Sequence, residues 1–85
     1  MIANKEAAQI AIEYLKIFYD DTKNLLLEEV ELTEDRKSWL ITLSYDSPIQ
    51  QSALDIAIGK KNRDYKIFDI DSDSGLVKSM KIREL

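Results

Sequence analysis

Polar positions recur every three or four residues through the first fifth of the chain. Between residues 5 and 20 they are Lys5, Glu6, Gln9, Glu13, Lys16 and Asp20, and almost everything between them is apolar. That spacing draws one solvated stripe on a 3.6-residue period and predicts an amphipathic helix. Asn4 is the expected N-cap, with Glu6 in the first turn where the helix dipole favours an anion. Lys16 is spaced for surface ion pairs with Glu13 and Asp20. Ala7, Ala8 and Ala11 predict a close approach to a sheet, and Tyr14, Leu15 and Phe18 are expected to fill a wider gap beyond them. Asp20, Asp21 and Thr22 break the pattern.

The period then changes to two. Across residues 25–33, Leu26, Val30 and Leu32 fall in one strand phase with Glu28 intruding, while Glu29, Glu31 and Thr33 fall in the other. A polar turn over residues 34–38 leads to the cleanest alternation in the chain. There Trp39, Ile41, Leu43 and Tyr45 share one face and Thr42 and Ser44 the other, so Trp39 is expected in the core. The short connection predicts an antiparallel pair. Residues 46–63 read either as a short helix or helical loop, opened by the capping-box form Ser47-Pro48-Ile49-Gln50 and closed near Gly59, or as a strand through Leu54, Ile56 and Ile58; the helical form is the expectation. A terminal hairpin follows, with strands at 65–71 and 76–83 around Ser72-Asp73-Ser74-Gly75. Gly75 suits the left-handed position of a bulged turn. A plain turn would pair Ile67 with Met80, and a bulge would pair Phe68 with Met80. The predicted fold is α+β: one domain spanning residues 1–85, with an N-terminal helix on a four-stranded antiparallel meander and a loop or short helix inserted between strands 2 and 3.

Composition narrows the chemistry. The 85 residues are 45% apolar and 33% charged, which is globular rather than disordered. Without cysteine there are no disulfides or thiolate zinc sites, and without histidine the commonest neutral-pH base and metal ligand are missing. Nothing in the spacing of Lys, Asp, Glu and Ser selects a catalytic pair, so no enzymatic activity and no cofactor are expected. Asp69, Asp71 and Asp73 suggest a calcium loop until the positions are counted. Gly75 comes one residue late and the twelfth position is Met80, so the triad reads as turn chemistry. No apolar run reaches the length of a membrane span, and the first 15 residues lack the form of a signal peptide; the expected location is cytoplasmic, with no membrane contact.

The net charge of −4 conceals an asymmetry. Glu28, Glu29, Glu31, Glu34 and Asp35 make the first hairpin acidic. Lys60, Lys61, Arg63, Lys66, Lys78, Lys81 and Arg83 lie in the last third and make the second one basic, with Lys81 and Arg83 in one strand phase. An acidic chain is repelled by phosphate, so nucleic acid is not an expected partner. The field can instead orient a protein partner or a second copy, and Glu28, Glu29, Glu31, Lys81 and Arg83 are the candidate contact residues. Several strands carry apolar residues in both phases, more than one helix can cover. The second sheet face is therefore expected to be an interaction surface unless residues 46–63 cover it, and open strand edges offer another route to a partner.

The stretch from Tyr65 to Val77 resembles the terminal hairpin of PepSY-like domains, in which a hydrophobic strand ends in a D-x-x-(T/S)-G-x-(V/I) turn. Asp71, Ser74, Gly75 and Val77 occupy the matching positions. The resemblance implies a cystatin-like helix on a sheet, and a role in protease propeptides or as an interaction module. No catalytic residue is implied, since the shared motif is a turn. In size, charge and architecture the chain is also similar to bacterial immunity proteins, which implies an acidic inhibitor of a basic toxin or a peptidase. The primary expectation is a non-enzymatic interaction domain that binds a protein partner or itself; the inhibitor is the alternative, and a cryptic enzyme without His or Cys the third.

Overall fold

A computed structural model describes residues 1–47 and 63–83, and the expectation for residues 46–63 lies almost wholly outside them. The elements run α1 (Asn4–Phe18), β1 (Leu26–Leu32), β2 (Ser38–Asp46), β3 (Arg63–Asp71) and β4 (Val77–Ile82). The four strands form one antiparallel sheet in the order β1-β2-β3-β4, with α1 packed across one face, as the sequence pattern predicts.

Three alanines set how closely α1 approaches the sheet. Ala7, Ala8 and Ala11 are buried with Leu15, against Ile41, Leu43 and Tyr45 of β2 and Phe68 and Ile70 of β3. Each large buried side chain of this set contributes about 1.5–3 kcal/mol of burial. Phe18 does not fill the gap expected of it. It is exposed and tilts against Tyr14, whose ring meets Phe68 edge-on. Trp39 lies at the rim of the core, half-buried, with its indole N–H donating to the Ile2 carbonyl at 3.2 Å.

The helix starts one residue earlier than the cap pattern suggests. Ala3 is the N-cap, with extended backbone and no side-chain cap, so Asn4 is the first helical residue instead. The start is held from outside: Ile2 N–H donates to the Ser72 carbonyl at 2.7 Å. Buried Ser72 then joins the two hairpin ends, its N–H donating to the Lys37 carbonyl (2.9 Å) and its hydroxyl to the Arg36 carbonyl (2.6 Å). These bonds tie the segment just before α1 to both hairpin turns, while the helix N-terminus itself has no side-chain cap. On the solvated stripe Gln9 donates to Glu13 at 3.2 Å, and the pairs expected of Lys16 with Glu13 and Asp20 do not form.

Two irregularities fix which side chains share a face. In β1 the register jumps between Leu27, opposite Leu43, and Glu29, opposite Thr42. Glu28 is the extra residue of a bulge. This overturns the expected strand phase: Leu27 joins Val30 and Leu32 on the helix side, and Leu26 turns to the other face with Glu29 and Glu31. Within β1 the bulge thus exchanges Leu27 for Leu26 on the second face and leaves the number of apolar residues there unchanged. In the terminal hairpin Phe68 pairs with Met80, the bulged register, and Lys78 is the extra residue. Gly75 has φ +78 and its N–H donates to the Asp71 carbonyl at 2.9 Å.

Candidate interaction face

The side of the sheet away from α1 is built on a stripe of hydroxyls along β2. Ser38, Thr42 and Ser44 alternate with the core residues Trp39, Ile41, Leu43 and Tyr45, so they all face this side. They are buried, Thr42 to 2% exposure and Ser44 to 0%. A buried hydroxyl without a partner is costly, and here each is met by a cation from β3 or from the β4 region. Lys78 Nζ donates to Ser38 Oγ at 2.7 Å. Arg83 Nη1 donates to Thr42 Oγ1 at 3.1 Å, and Arg63 donates to Ser44 Oγ through Nη2 (2.9 Å) and Nε (3.3 Å).

Each cation also meets a carboxylate. Arg63 Nη1 pairs with Asp46 Oδ1 at 3.0 Å while Nη2 donates to the Asn24 carbonyl at 2.7 Å. Asn24 in turn donates to Asp46 Oδ2 at 2.6 Å, and Ser44 donates to Glu28 at 3.2 Å. Arg83 reaches from beyond β4 across the sheet to Glu29 on β1. Lys78 stands 4.0 Å from Asp69 and 3.9 Å from Asp71, where Asp69 Oδ1 accepts no hydrogen bond. Half-buried Leu40, Tyr65 and Ile67 lie among these groups.

All five residues singled out from the sequence project from this one face. Two of them, Glu29 and Arg83, are joined to each other, and Glu28 accepts a bond from Ser44. Glu31 and Lys81 are exposed and take part in no ion pair. Arg63 and Lys78 belong to the same network and were not singled out. Their only sequence signal is the Thr42/Ser44 phase, which marks a polar stripe needing partners without saying which cations supply them. The edges of the sheet are β1 and β4. Every β1 residue but Leu32 is exposed, and the bulge at Glu28 breaks the regularity of that edge.

At the far end of α1 a cleft of about 340 Å³ is lined by Tyr19, Asp21, Thr22, Lys23, Tyr45, Asp46 and Ser47. Burial raises the Tyr45 phenol above its usual pKa, with the nearby Asp64 carboxylate adding to the effect. Tyr19 stacks against Tyr45 and carries the Lys66 ammonium 5.4 Å from its ring centroid. The cleft gathers two aromatic rings, two hydroxyls and charges of both signs. In the turn that resembles PepSY-like domains, the Asp71 carboxylate accepts bonds from the Asp73 N–H (3.1 Å), the Ser74 N–H (2.8 Å) and the Ser74 hydroxyl (2.9 Å). These bonds, those from Ser74 foremost, lower its pKa. Among the described residues no three carboxylates converge as a metal site, and no helix is long and apolar enough to cross a membrane.

Comparison with protein-family models, curated proteins and solved structures finds no match to this chain.

Proposed function

We propose that this protein is a non-enzymatic interaction domain that binds a protein partner, or itself, through the sheet face opposite α1, and that it works in the cytoplasm. One observation carries the reading. Glu31 and Lys81 hold exposed, unpaired charges at opposite edges of a single face, with half-buried Leu40, Tyr65 and Ile67 between them. A charged rim around a partly apolar centre is the general anatomy of a protein-binding patch. The PepSY-like turn at Asp71, Ser74, Gly75 and Val77 is compatible with an interaction module and supplies no chemistry.

The reading is tested by affinity capture from the native host with four baits: the unaltered chain, Glu31→Lys and Lys81→Glu as separate face variants, and Lys16→Glu on the exposed stripe of α1. A protein retained by the unaltered chain and by Lys16→Glu, and lost on the face variants, is the expected result. Equal retention on all baits, or no retained protein together with a monomeric chain, overturns it.

The exposed acidic edge strand supports a second reading, an inhibitor or immunity protein that blocks a basic enzyme. Charge reversal at Glu28, Glu29 and Glu31 would then weaken binding and flatten its salt dependence.

A further inference from the structure

The second sheet face is acidic along one edge and basic along the other. Glu28, Glu29 and Glu31 rise from β1, and Lys78 and Lys81 rise from β4, with Arg83 just past its end. Like charges placed opposite one another repel and unlike ones attract, so this segregation discriminates among the ways two such faces can meet.

We propose that this face docks onto the same face of a second copy of the chain, about a two-fold axis running along the strands between β2 and β3. The proposal rests on the interaction reading above and names the partner. Rotation about that axis turns the sheet over and carries β1 of one copy onto β4 of the other, twice in each dimer. The ladder sets the levels. Glu31 is opposite Leu40, Leu40 opposite Asp69, and Asp69 opposite Ser79. Glu31 of one copy therefore arrives over Ser79 of the other, between Lys78 and Lys81. Glu29 lies level with Thr42, Ile67 and Lys81 in the same way. The alternative two-fold, across the strands, lays β1 on β1 and brings glutamate onto glutamate. Charge thus selects one axis.

The interface is isologous and closes on itself, so it ends at a dimer. Face-to-face sheets pack with strands within about 30° of each other, which this axis allows. Four strands about 4.8 Å apart and about seven residues long make a face of roughly 19 by 24 Å. That is roughly 900 Å² over the two copies, in the range of weak, transient associations rather than permanent ones, and both copies carry a net charge of −4. Association is therefore expected to be concentration-dependent in the micromolar range and to depend on salt.

Sedimentation equilibrium of the full chain across that range reads the result. Glu31→Lys and Lys81→Glu should each weaken the dimer by about tenfold or more, and the double variant, which exchanges the two charges, should restore it. Both side chains are exposed and unpaired, so at concentrations low enough for every chain to be monomeric the melting curves of all three variants should match the unaltered chain. A chain that stays monomeric throughout, or a double variant as weak as the single ones, overturns the dimer. If the monomer still captures a protein that the face variants lose, the self-association fails and the interaction reading stands. If it captures none, both fail.

Discussion

Gly75 sits where the terminal hairpin turns under the start of α1. Its φ of +78 lies in the left-handed region, and a Cβ added there would come within 2.9 Å of Ile10 Cδ1 and 3.8 Å of Ile2 Cδ1. The isoleucine tip can move aside; the backbone cannot be relaxed so cheaply. Gly75→Ala should cost about 1–2 kcal/mol, read as a lower midpoint in chemical denaturation, and an unchanged midpoint would show the turn to be adaptable. Three ionisable side chains predict a stability window. Hydrogen bonds from Thr33 and then the Lys37 N–H lower the Asp35 pKa, and those from Ser74 lower that of Asp71. A carboxyl whose pKa falls on folding stabilises above its unfolded value of 3.8 and loses this as pH drops through the lower folded value. Tyr45 behaves oppositely. Its pKa is raised from 10.0 on folding, so its contribution is present below pH 10.0 and is lost as pH climbs through the raised value. Stability should therefore decline below about pH 3.8 and above about pH 10. Asp71→Asn, which keeps an acceptor oxygen, should flatten the acid limb, and Tyr45→Phe the alkaline one; limbs of unchanged slope would refute the assignment. At this scale the need for glycine at position 75 is legible in the turn sequence. The burial of Tyr45 follows from strand alternation, but the carboxylate of Asp64 beside it depends on the β2–β3 register.

The elements differ in how far they can be read from periodicity. The polar stripe of α1 repeats through four turns, so the helix and its buried alanines are legible. The same pattern makes Phe18 a buried residue, and it is not one: its ring packs along the helix, on Tyr14, and it is Tyr19, one residue on, that reaches Tyr45 of β2. Leu15 and Ile17 make the contrast measurable, the first fully buried and the second 73% exposed. Leu15→Ala should cost about 2–5 kcal/mol through lost burial and a cavity, while Ile17→Ala should stay within about 0.5 kcal/mol; equal losses by thermal or chemical denaturation would contradict the packing described. In β1 periodicity fails for a different reason. One inserted residue reverses the facing of everything before it, and the run Leu25-Leu26-Leu27 contains no polar residue to mark which phase is inside. The bulge at Glu28 is set by pairing with β2, where Leu43 and Thr42 must take Leu27 and Glu29 as their partners.

On the scale of the molecule, the two faces of the sheet solve two separate problems. One buries an apolar core under α1. The other takes the hydroxyls of the central strand out of water and satisfies them with Lys78, Arg83 and Arg63, whose charges are balanced by Asp69 and Asp71, Glu29 and Asp46. The acidic and basic hairpins thus partly neutralise each other across the sheet, and of the five candidate contact residues Glu31 and Lys81 are the two without an ion pair or hydrogen bond among the described residues. The helix, the strand order, the antiparallel hairpins and the lack of histidine and cysteine chemistry can all be read from the chain alone. Those follow from local periods, short turns and composition, all of which act within a few residues. Pairing between distant residues sets which face Leu26 and Leu27 take, that Ser72 ties the segment before α1 to the turn between β1 and β2, and which of five candidate charges are spent inside the chain. Each of those depends on strand register, and register is a relation between residues far apart in sequence: Glu29 and Arg83 are separated by 54 positions and meet only because β1, β2, β3 and β4 line up as they do.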